Sequence, residues 1–576
     1  MKSFLKYFFA GLFSLVVFFA VVVLVAKVKL EEKPSIKDHS YLVIDIYDEI
    51  LEYDPPSGVM GGMMGAKPET LQRILTNLEK ATVDDRIDGV IIKISAANSA
   101  GRAMLEEMRH AIKKVRKADK PVYAFGDYLD RNAIYLASAC DSLFAPPSAY
   151  VVFTGMGTVT MHVKNMLDKL GINPNIHKIK DYKSAAEMVT REDMSPETKE
   201  MRSWILDEIW DLQLSAISAD RGISVDKIEE LMEYAVFQAE EARDAGLIDR
   251  LLYWQELEQM LKLEDDDDLR TVSQCDYEEV KPEKLGLKGK KKIVVVHAQG
   301  MIGGRKNRVD PFFGVMMGHE SVSANLRAAR KDDDVAAVVF RIDSGGGESL
   351  ASDLIAHEVA VLGGVKPVIV SMVDVAASGG YYIAYQADKL VADPMTITGS
   401  IGSISGKFNM AGFYDKLGVT HDYVTKGANA LIYSELRDFT EEERARHEAN
   451  HWDGFNMWLR DVAKHRGMSF AEAEKLAHGR VWSGRQAKAN GLIDEVGGLD
   501  TAIELAKEMA GIPADEKVTV LHYPERDKGL LSSLLGGGLS ASVQWAVYQY
   551  IHRDMLATVR EMSSGPVYMM DETIVE

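Results

Sequence analysis

An internal repeat governs what this chain can fold into. Asp85-Arg-Ile-Asp-Gly-Val-Ile-Ile-Lys-Ile-Ser95 returns as Asp333-Asp-Val-Ala-Ala-Val-Val-Phe-Arg-Ile-Asp343. Val236-Phe-Gln-Ala-Glu-Glu-Ala-Arg-Asp-Ala-Gly-Leu-Ile-Asp249 returns as Val481-Trp-Ser-Gly-Arg-Gln-Ala-Lys-Ala-Asn-Gly-Leu-Ile-Asp494, an offset of about 247 residues. Two copies of one domain must therefore fold, each around its own core, and 576 residues suffice for both with extensions to spare. Apolar runs at 41–48, 88–95, 121–126 and 141–145 predict strands that alternate with helical stretches, and 293–298, 336–342, 367–373 and 389–392 repeat the series. That alternation predicts the α/β class.

Within the second copy, one stretch carries chemistry. The Val and Ile residues of 368–373 read as a buried strand, Ala-Ser378-Gly379-Gly380 permits a tight turn, and 380–387 has helical spacing. A serine so presented would have backbone N–H groups and a helix dipole beside it, both favouring developing negative charge. A plain N-cap serine is the competing reading. A second glycine cluster, Ser344-Gly345-Gly346-Gly347, also follows a buried strand and precedes a predicted helix over 348–362 with Leu350, Leu354, Val359 and Leu362 on its apolar positions. Paired with Gly379, such a loop can form a two-donor oxyanion hole, each donor contributing about 3 kcal/mol in acyl transfer. A phosphate-binding turn fits less well, because neither Gly-x-x-x-x-Gly-Lys-Ser/Thr nor Gly-x-Gly-x-x-Gly is present there.

A serine nucleophile needs a base. His357, His421, His447 and His451 lie in polar or helical surroundings and read as surface or helix-face residues. A lysine can replace histidine where burial favours the neutral amine. The best candidate is Lys183, in Asp181-Tyr-Lys183-Ser-Ala, although a lysine near a helix start is commonly just solvated.

Four blocks, Asp181-Tyr-Lys183-Ser-Ala, Arg191-Glu-Asp-Met-Ser-Pro196, Ala376-Ala-Ser378-Gly-Gly-Tyr-Tyr-Ile-Ala384 and Thr398-Gly-Ser400-Ile-Gly402, resemble the signature blocks of the signal peptide peptidase A (protease IV) family in its long membrane-anchored form. The resemblance runs from the N-terminus to about residue 525. It implies tandem domains related to crotonase and the Clp protease, and a Ser-Lys dyad with Ser378 as nucleophile and Lys183 as general base. It further implies that Ser400 hydrogen-bonds the lysine and that Gly347 and Gly379 are the oxyanion donors, with no metal or cofactor. The implied substrates are signal peptides left in the membrane after their release, and the implied assembly is a bowl-shaped homotetramer with an apolar groove. The family usually has Ser-Pro-Gly-Gly where this chain has Ser344-Gly345-Gly346-Gly347, a change expected to loosen the loop while keeping its final glycines.

The repeat explains why the dyad is split. Aligning Tyr135-Leu-Ala-Ser-Ala-Cys-Asp141 with Tyr382-Ile-Ala-Tyr-Gln-Ala-Asp388 sets Arg131-Asn132-Ala133 against Ser378-Gly379-Gly380. The first copy lacks the nucleophile, and Ala96-Ala97-Asn98-Ser99 stands where the glycine loop would be. The second copy, with Thr425-Lys426-Gly-Ala-Asn, has no clear equivalent of the Lys183 block.

Charge and composition narrow the partners. A net charge of −20 and the lack of a basic-aromatic patch argue against nucleic acid. Cys140 and Cys275 are too few for a disulfide framework, and no Cys/His spacing resembles a zinc site. Residues 8–26 carry no charge and approach the ~20 residues that span a bilayer, which predicts an uncleaved N-terminal transmembrane helix in preference to a signal peptide. Lysines flank that span on both sides, so orientation rests on the resemblance, which implies a bacterial inner-membrane protein with a periplasmic body. The Gly/Ser-rich apolar stretch 529–551 reads as a surface or oligomer contact. The expected layout is an anchor at 1–29, a first crotonase-like repeat at 38–260, a polar linker at 261–292, a second repeat at 293–512 and an extension at 513–576. The alternatives are a crotonase-type acyl-CoA enzyme, which has the oxyanion geometry without a serine nucleophile, and a catalytically inactive membrane scaffold.

Overall fold

Each repeat builds a sheet of eight strands, and the two sheets have the same order. The computed structural model describes residues 36–46, 50–55, 69–95, 100–310 and 313–525; the stretch 8–26, the segment 96–99 and the stretch 529–551 lie outside them. The first repeat contributes β1 (Ser40–Ile46), β2 (Ile87–Ser95), β3 (Val122–Asp130), β4 (Ser142–Ala145), β5 (Tyr150–Phe153), β6 (Asn173–Lys178), β7 (Ala235–Gln238), β8 (Arg250–Leu251) and β9 (Thr271–Ser273). The second contributes β10 (Lys292–Gln299), β11 (Met301–Ile302), β12 (Arg308–Asp310), β13 (Gly314–Met317), β14 (Val335–Ser344), β15 (Val368–Ala377), β16 (Lys389–Ala392), β17 (Ile397–Gly399), β18 (Ile404–Asn409), β19 (Val481–Ser483), β20 (Glu495–Val496) and β21 (Thr519–Tyr523). The order β7-β5-β3-β2-β1-β9 in one sheet matches β19-β17-β15-β14-β10-β21 in the other.

The central strands are mostly parallel, and Val90, Ile91, Ile92, Val338, Val339 and Phe340 are all buried because helices cover both faces. Near-continuous apolar runs such as Val-Ile-Ile and Val-Val-Phe are what a doubly covered parallel strand requires. No helix among the described residues is long and apolar enough to cross a membrane.

Two expected boundaries move. Residues 261–292 were expected to be a solvated linker, but Val272 and Tyr277 are apolar points within that polar run and both are buried. β9 lies parallel on β1, and the Tyr277 hydroxyl donates to Asp84 Oδ2 at 3.0 Å, so this segment closes the edge of the first sheet. Likewise β21, beyond the expected end at 512, lies parallel on β10. Each repeat thus ends in an edge strand that follows its main body in sequence. The helix expected over 380–387 is also shorter, Gly379–Tyr382, because the chain must already enter β16 at Lys389 and a Gly-Gly start supports little helix.

The repeats are joined by buried charge. Arg341 donates to both carboxylates of Glu52 and Glu107 and to Ser371 Oγ, at 2.8–3.2 Å, and its side chain is wholly enclosed. Burial alone would raise the Glu52 carboxyl, but Arg341 and His297 hold it down to about 2. Asp374 of β15 accepts the Ala103 N–H at 2.8 Å, capping the first-repeat helix Arg102–Lys117. A second bridge is made by β6, which leaves its own sheet and lies antiparallel on β18. That bridge delivers residues 179–190 of the first repeat to the second.

Candidate active site

Ser378 stands between β15 and the Gly379–Tyr382 turn with φ +55° and ψ −117°, a strained conformation for a side-chain-bearing residue. Its N–H donates to Gly399 O at 2.9 Å, which fixes the elbow against β17. Lys183, carried by the segment after β6, is buried to 6% exposure. Its Nζ donates to Ser378 Oγ at 3.0 Å, to Ser400 Oγ at 2.8 Å and to Ser400 O at 3.3 Å. Ser400 also takes a positive φ, +49°, which turns its carbonyl and hydroxyl to the same amine. The sequence-predicted trio from both repeats therefore meets at one point.

The glycine loop meets the same point. Gly346 and Gly347 have φ of +110° and +148°, and a Cβ on Gly346 would lie 2.8 Å from Ser378 Cβ. A Cβ built on Gly379 would lie 3.0 Å from Gly347 N, so the two glycine backbones flank the serine together. Neither the Gly347 nor the Gly379 N–H has a carbonyl acceptor among the turn and loop hydrogen bonds of the described residues. A four-residue turn gives no helix dipole of consequence, so these individual N–H groups replace the helix end expected from sequence. Nor is the loop loosened by the missing proline. Ser344 Oγ accepts the Gly346 N–H at 3.1 Å, and β11 clamps the loop through Ile302 N–H to Gly346 O at 2.8 Å and Glu348 N–H to Ile302 O at 2.9 Å.

Sequence reasoning missed the residues that hold Lys183 in place. Glu187 accepts from Ser195 Oγ at 2.7 Å, Ser195 N–H at 3.0 Å and Thr198 Oγ1 at 2.9 Å, tying the two ends of the lysine segment together. Burial works against its charge, yet those hydrogen bonds from Ser195 and Thr198 hold its carboxyl below the usual range. Gly479, with φ +85°, packs so closely that a Cβ would lie 2.5 Å from Lys183 Cα. Stacked Trp204 and Trp482, with ring centroids 5.4 Å apart, close the seam beside it. The block Arg191-Glu-Asp-Met-Ser-Pro196 is the visible signal, and its serine closes a local loop onto Glu187.

Of the histidines weighed as bases, His357 and His421 are exposed and His447 packs on Phe439. His451 does line the cleft, bonded to Ser403 Oγ and His177 Nδ1, each at 2.7 Å. Burial first, then His177 and His447, push it down to about 4 from the usual 6.5. The unfolded chain therefore binds more protons than the folded one between those values, so stability rises with pH across that window and is withdrawn on acidification from 6.5 towards 4. Thermal melting from pH 7 to pH 4.5 should show a fall in Tm that is smaller in His451→Phe. An identical fall in both proteins overturns this assignment.

The first repeat's counterpart is closed. Arg131 stands at the repeat position of Ser378 and donates from Nη1 to Gly155 O at 2.8 Å, with 8% of its surface exposed. Arg131→Ala should leave peptide turnover near normal and lower stability or assembly instead. A loss comparable to that of Ser378→Ala, in correctly folded protein, would reveal a second working centre.

The cleft at Ser378 encloses about 440 Å³ and is lined by Ser378, Lys183 and Ser400 together with Ile205, Leu350, Met457 and Trp458. An acyl group on Ser378 would be surrounded by apolar side chains, next to an amine and two N–H groups. No group of His, Cys, Asp and Glu among the described residues is arranged to hold a metal ion.

Comparison with known proteins agrees with this division. The model of peptidase family S49 matches twice, over residues 114–267 and 362–513, once in each repeat. Serine protease SPPA, chloroplastic, of Arabidopsis thaliana is 34% identical over 517 residues, covering 85% of this chain and 76% of that one. Protease 4 of Haemophilus influenzae is 30% identical over 526 residues, covering 87% and 84%, and Protease 4 of Salmonella typhi 31% over 494 residues, covering 81% and 78%. With both repeats matched and relatives aligned over most of their length, the chain belongs to peptidase family S49 and is a serine peptidase.

Proposed function

We propose that this protein is a membrane-anchored endopeptidase that degrades signal peptides remaining in the bilayer after their release from secreted proteins. The observation that carries the chemistry is the amine of Lys183 at 3.0 Å from Ser378 Oγ and 2.8 Å from Ser400 Oγ, across the seam between the repeats. Ser378 Oγ bonds to the scissile carbonyl carbon while its proton passes to neutral Lys183, and the oxyanion forms towards the Gly347 and Gly379 N–H groups. Collapse breaks the C–N bond, and the Lys183 ammonium gives its proton to the leaving amine. Water, deprotonated by the same lysine, then frees the acyl group. Ser400 keeps the amine pointed at Ser378, and the sequence of steps needs no metal or cofactor.

The apolar cleft supports an extended substrate with small or apolar side chains, the composition of a signal-peptide core. The uncharged run at 8–26 supports an anchor that holds the body beside such substrates. In this reading the body lies on the periplasmic side of a bacterial inner membrane, has crotonase- and Clp-like domains, and assembles as a homotetramer.

Family membership weighs against the acyl-CoA reading, since that chemistry makes no use of a serine nucleophile. An inactive scaffold is separated by labelling the full chain with a fluorophosphonate. Covalent labelling at Ser378, blocked by a peptide aldehyde, is the expected result; unlabelled folded protein favours the scaffold. Digestion of a released signal peptide in vesicles then tests the substrate, and hydrolysis of soluble peptides alone would overturn the membrane role.

A further inference from the structure

The cleft at Ser378 carries one carboxylate that the chemistry above does not use. Among its described lining residues Asp353 is the only acid, and it sits on the helix Ser349–Gly363 that starts where the glycine loop ends. It lies one turn from Leu350 on the same helix face and accepts from the Tyr382 hydroxyl at 3.0 Å. Tyr382 in turn donates its N–H to Ser378 O at 2.9 Å, so the pair is held beside the nucleophile. Burial, and after it the charge of Asp353, push the Tyr382 phenol up, which keeps it a donor. Trp458 adds to this wall of the cleft, its ring centroid 5.0 Å from that of Tyr382.

The first repeat shows what such a pair holds. Helices Arg102–Lys117 and Ser349–Gly363 start 247 positions apart, as Tyr135 and Tyr382 lie 247 apart. Tyr135 donates to Glu106 as Tyr382 does to Asp353, which fixes the register. In the first repeat that carboxylate is paired with a cation of the chain itself: Arg109 Nε donates to Glu106 Oε2 at 3.0 Å, and the guanidinium lies 4.1 Å from the centroid of the Tyr135 ring. The second repeat has Ala356 at the position of Arg109. Tyr385, at the position of Ser138, packs edge-on against Tyr382 with centroids 5.6 Å apart. Asp353 thus keeps the tyrosine, forms no ion pair among the described residues, and faces the cleft.

We propose that Asp353 is a specificity-determining residue, which takes the lysine or arginine side chain of a peptide bound for cleavage at Ser378. The substrate supplies the cation that Ala356 leaves out of the chain. Its charge meets the Asp353 carboxylate and the rings of Tyr382 and Trp458, and its aliphatic stem lies on Leu350 and Met457, both exposed at the cleft. A net charge of −20 favours the approach of such peptides. The inference rests on the peptidase reading of Ser378 and narrows its substrates to apolar peptides that carry a basic residue. That pairing occurs where the positively charged start of a signal peptide meets its apolar run.

The test uses the full chain and peptides of one apolar sequence, acetylated and amidated at their ends, in which a single lysine or its uncharged counterpart norleucine is moved through the positions around the scissile bond. One position should favour lysine about tenfold in kcat/KM, and the preference should shrink as salt rises, because the pair is open to water. Asp353→Asn keeps an acceptor for Tyr382 and removes the charge, so the ratio should fall to near one. Asp353→Lys should favour glutamate at the same position. Binding to Ser378→Ala, measured by calorimetry, should show the same order of peptides without turnover. Equal treatment of lysine and norleucine at every position, a preference unmoved by Asp353→Asn, or one seen only when the peptide's N-terminus is left free overturns the subsite. A folded chain that binds the lysine peptide selectively and cleaves neither peptide overturns only the peptidase chemistry.

Discussion

Ser378→Ala and Lys183→Ala are each expected to lower peptide hydrolysis by about 10⁵–10⁶-fold, and the double variant to lower it no further, because groups that act as one unit fail together. Circular dichroism and melting should stay near those of the unsubstituted protein, since the lysine's partners Ser378 and Ser400 are small hydroxyl residues that water can satisfy. Ser400→Ala should slow turnover without ending it, as the amine keeps its bond to Ser378 Oγ and loses only the hydroxyl that aims it. A lysine base acts through its neutral amine, so kcat/KM should climb along a limb in the range of about 7–8 in which catalytic lysines are commonly tuned. His451, pushed down to about 4, cannot produce such a limb. Near-normal turnover in folded Lys183→Ala would transfer the base role to another group.

The next largest effect is expected from Gly347→Ala. A Cβ there would lie 2.0 Å from Ile302 O, and φ of +148° is open to glycine alone, so the loop must leave β11 or twist. Either movement displaces the Gly347 N–H from the oxyanion, which should reduce kcat by about 10²–10³-fold with a smaller change in KM. The rate of phosphonate labelling at Ser378 should fall in step, because the phosphoryl oxygen uses the same donors. Unchanged kcat in a folded Gly347→Ala protein would remove this loop from the mechanism.

Much of this architecture could be read from the chain, and the reasons are physical. Eight strands were expected where apolar runs such as Val90-Ile-Ile and Val338-Val-Phe demand cover on both faces, and strands were found there. The arrival of Ser378, Lys183, Ser400, Gly347 and Gly379 at one point followed from motif blocks, although nothing in local spacing brings residue 183 to residue 378. What stayed hidden was tertiary. β9 and β21 are short and partly polar, so they read as linker and tail until an unsatisfied sheet edge claims them. Tyr-Tyr-Ile-Ala has helical spacing and predicts a longer helix after Ser378 than the single turn present, because the nearby entry into β16 limits its length. Gly479 acts on Lys183 from nearly 300 positions away, which no local pattern announces, while the Glu187 clamp on Ser195 and Thr198 spans only 8 and 11 residues but needs the loop between them to fold back.

The 195 positions that separate the lysine from its serine also divide the site between the two halves of the chain. The first half of the chain contains Lys183 but not Ser378, and it carries Arg131 at the repeat position of that serine. Ser378 and Ser400 meet Lys183 only when the second repeat is docked on the arm that carries the lysine. The site is thus complete only where both repeats have folded and docked, so its assembly reports on the folding of the whole two-repeat body.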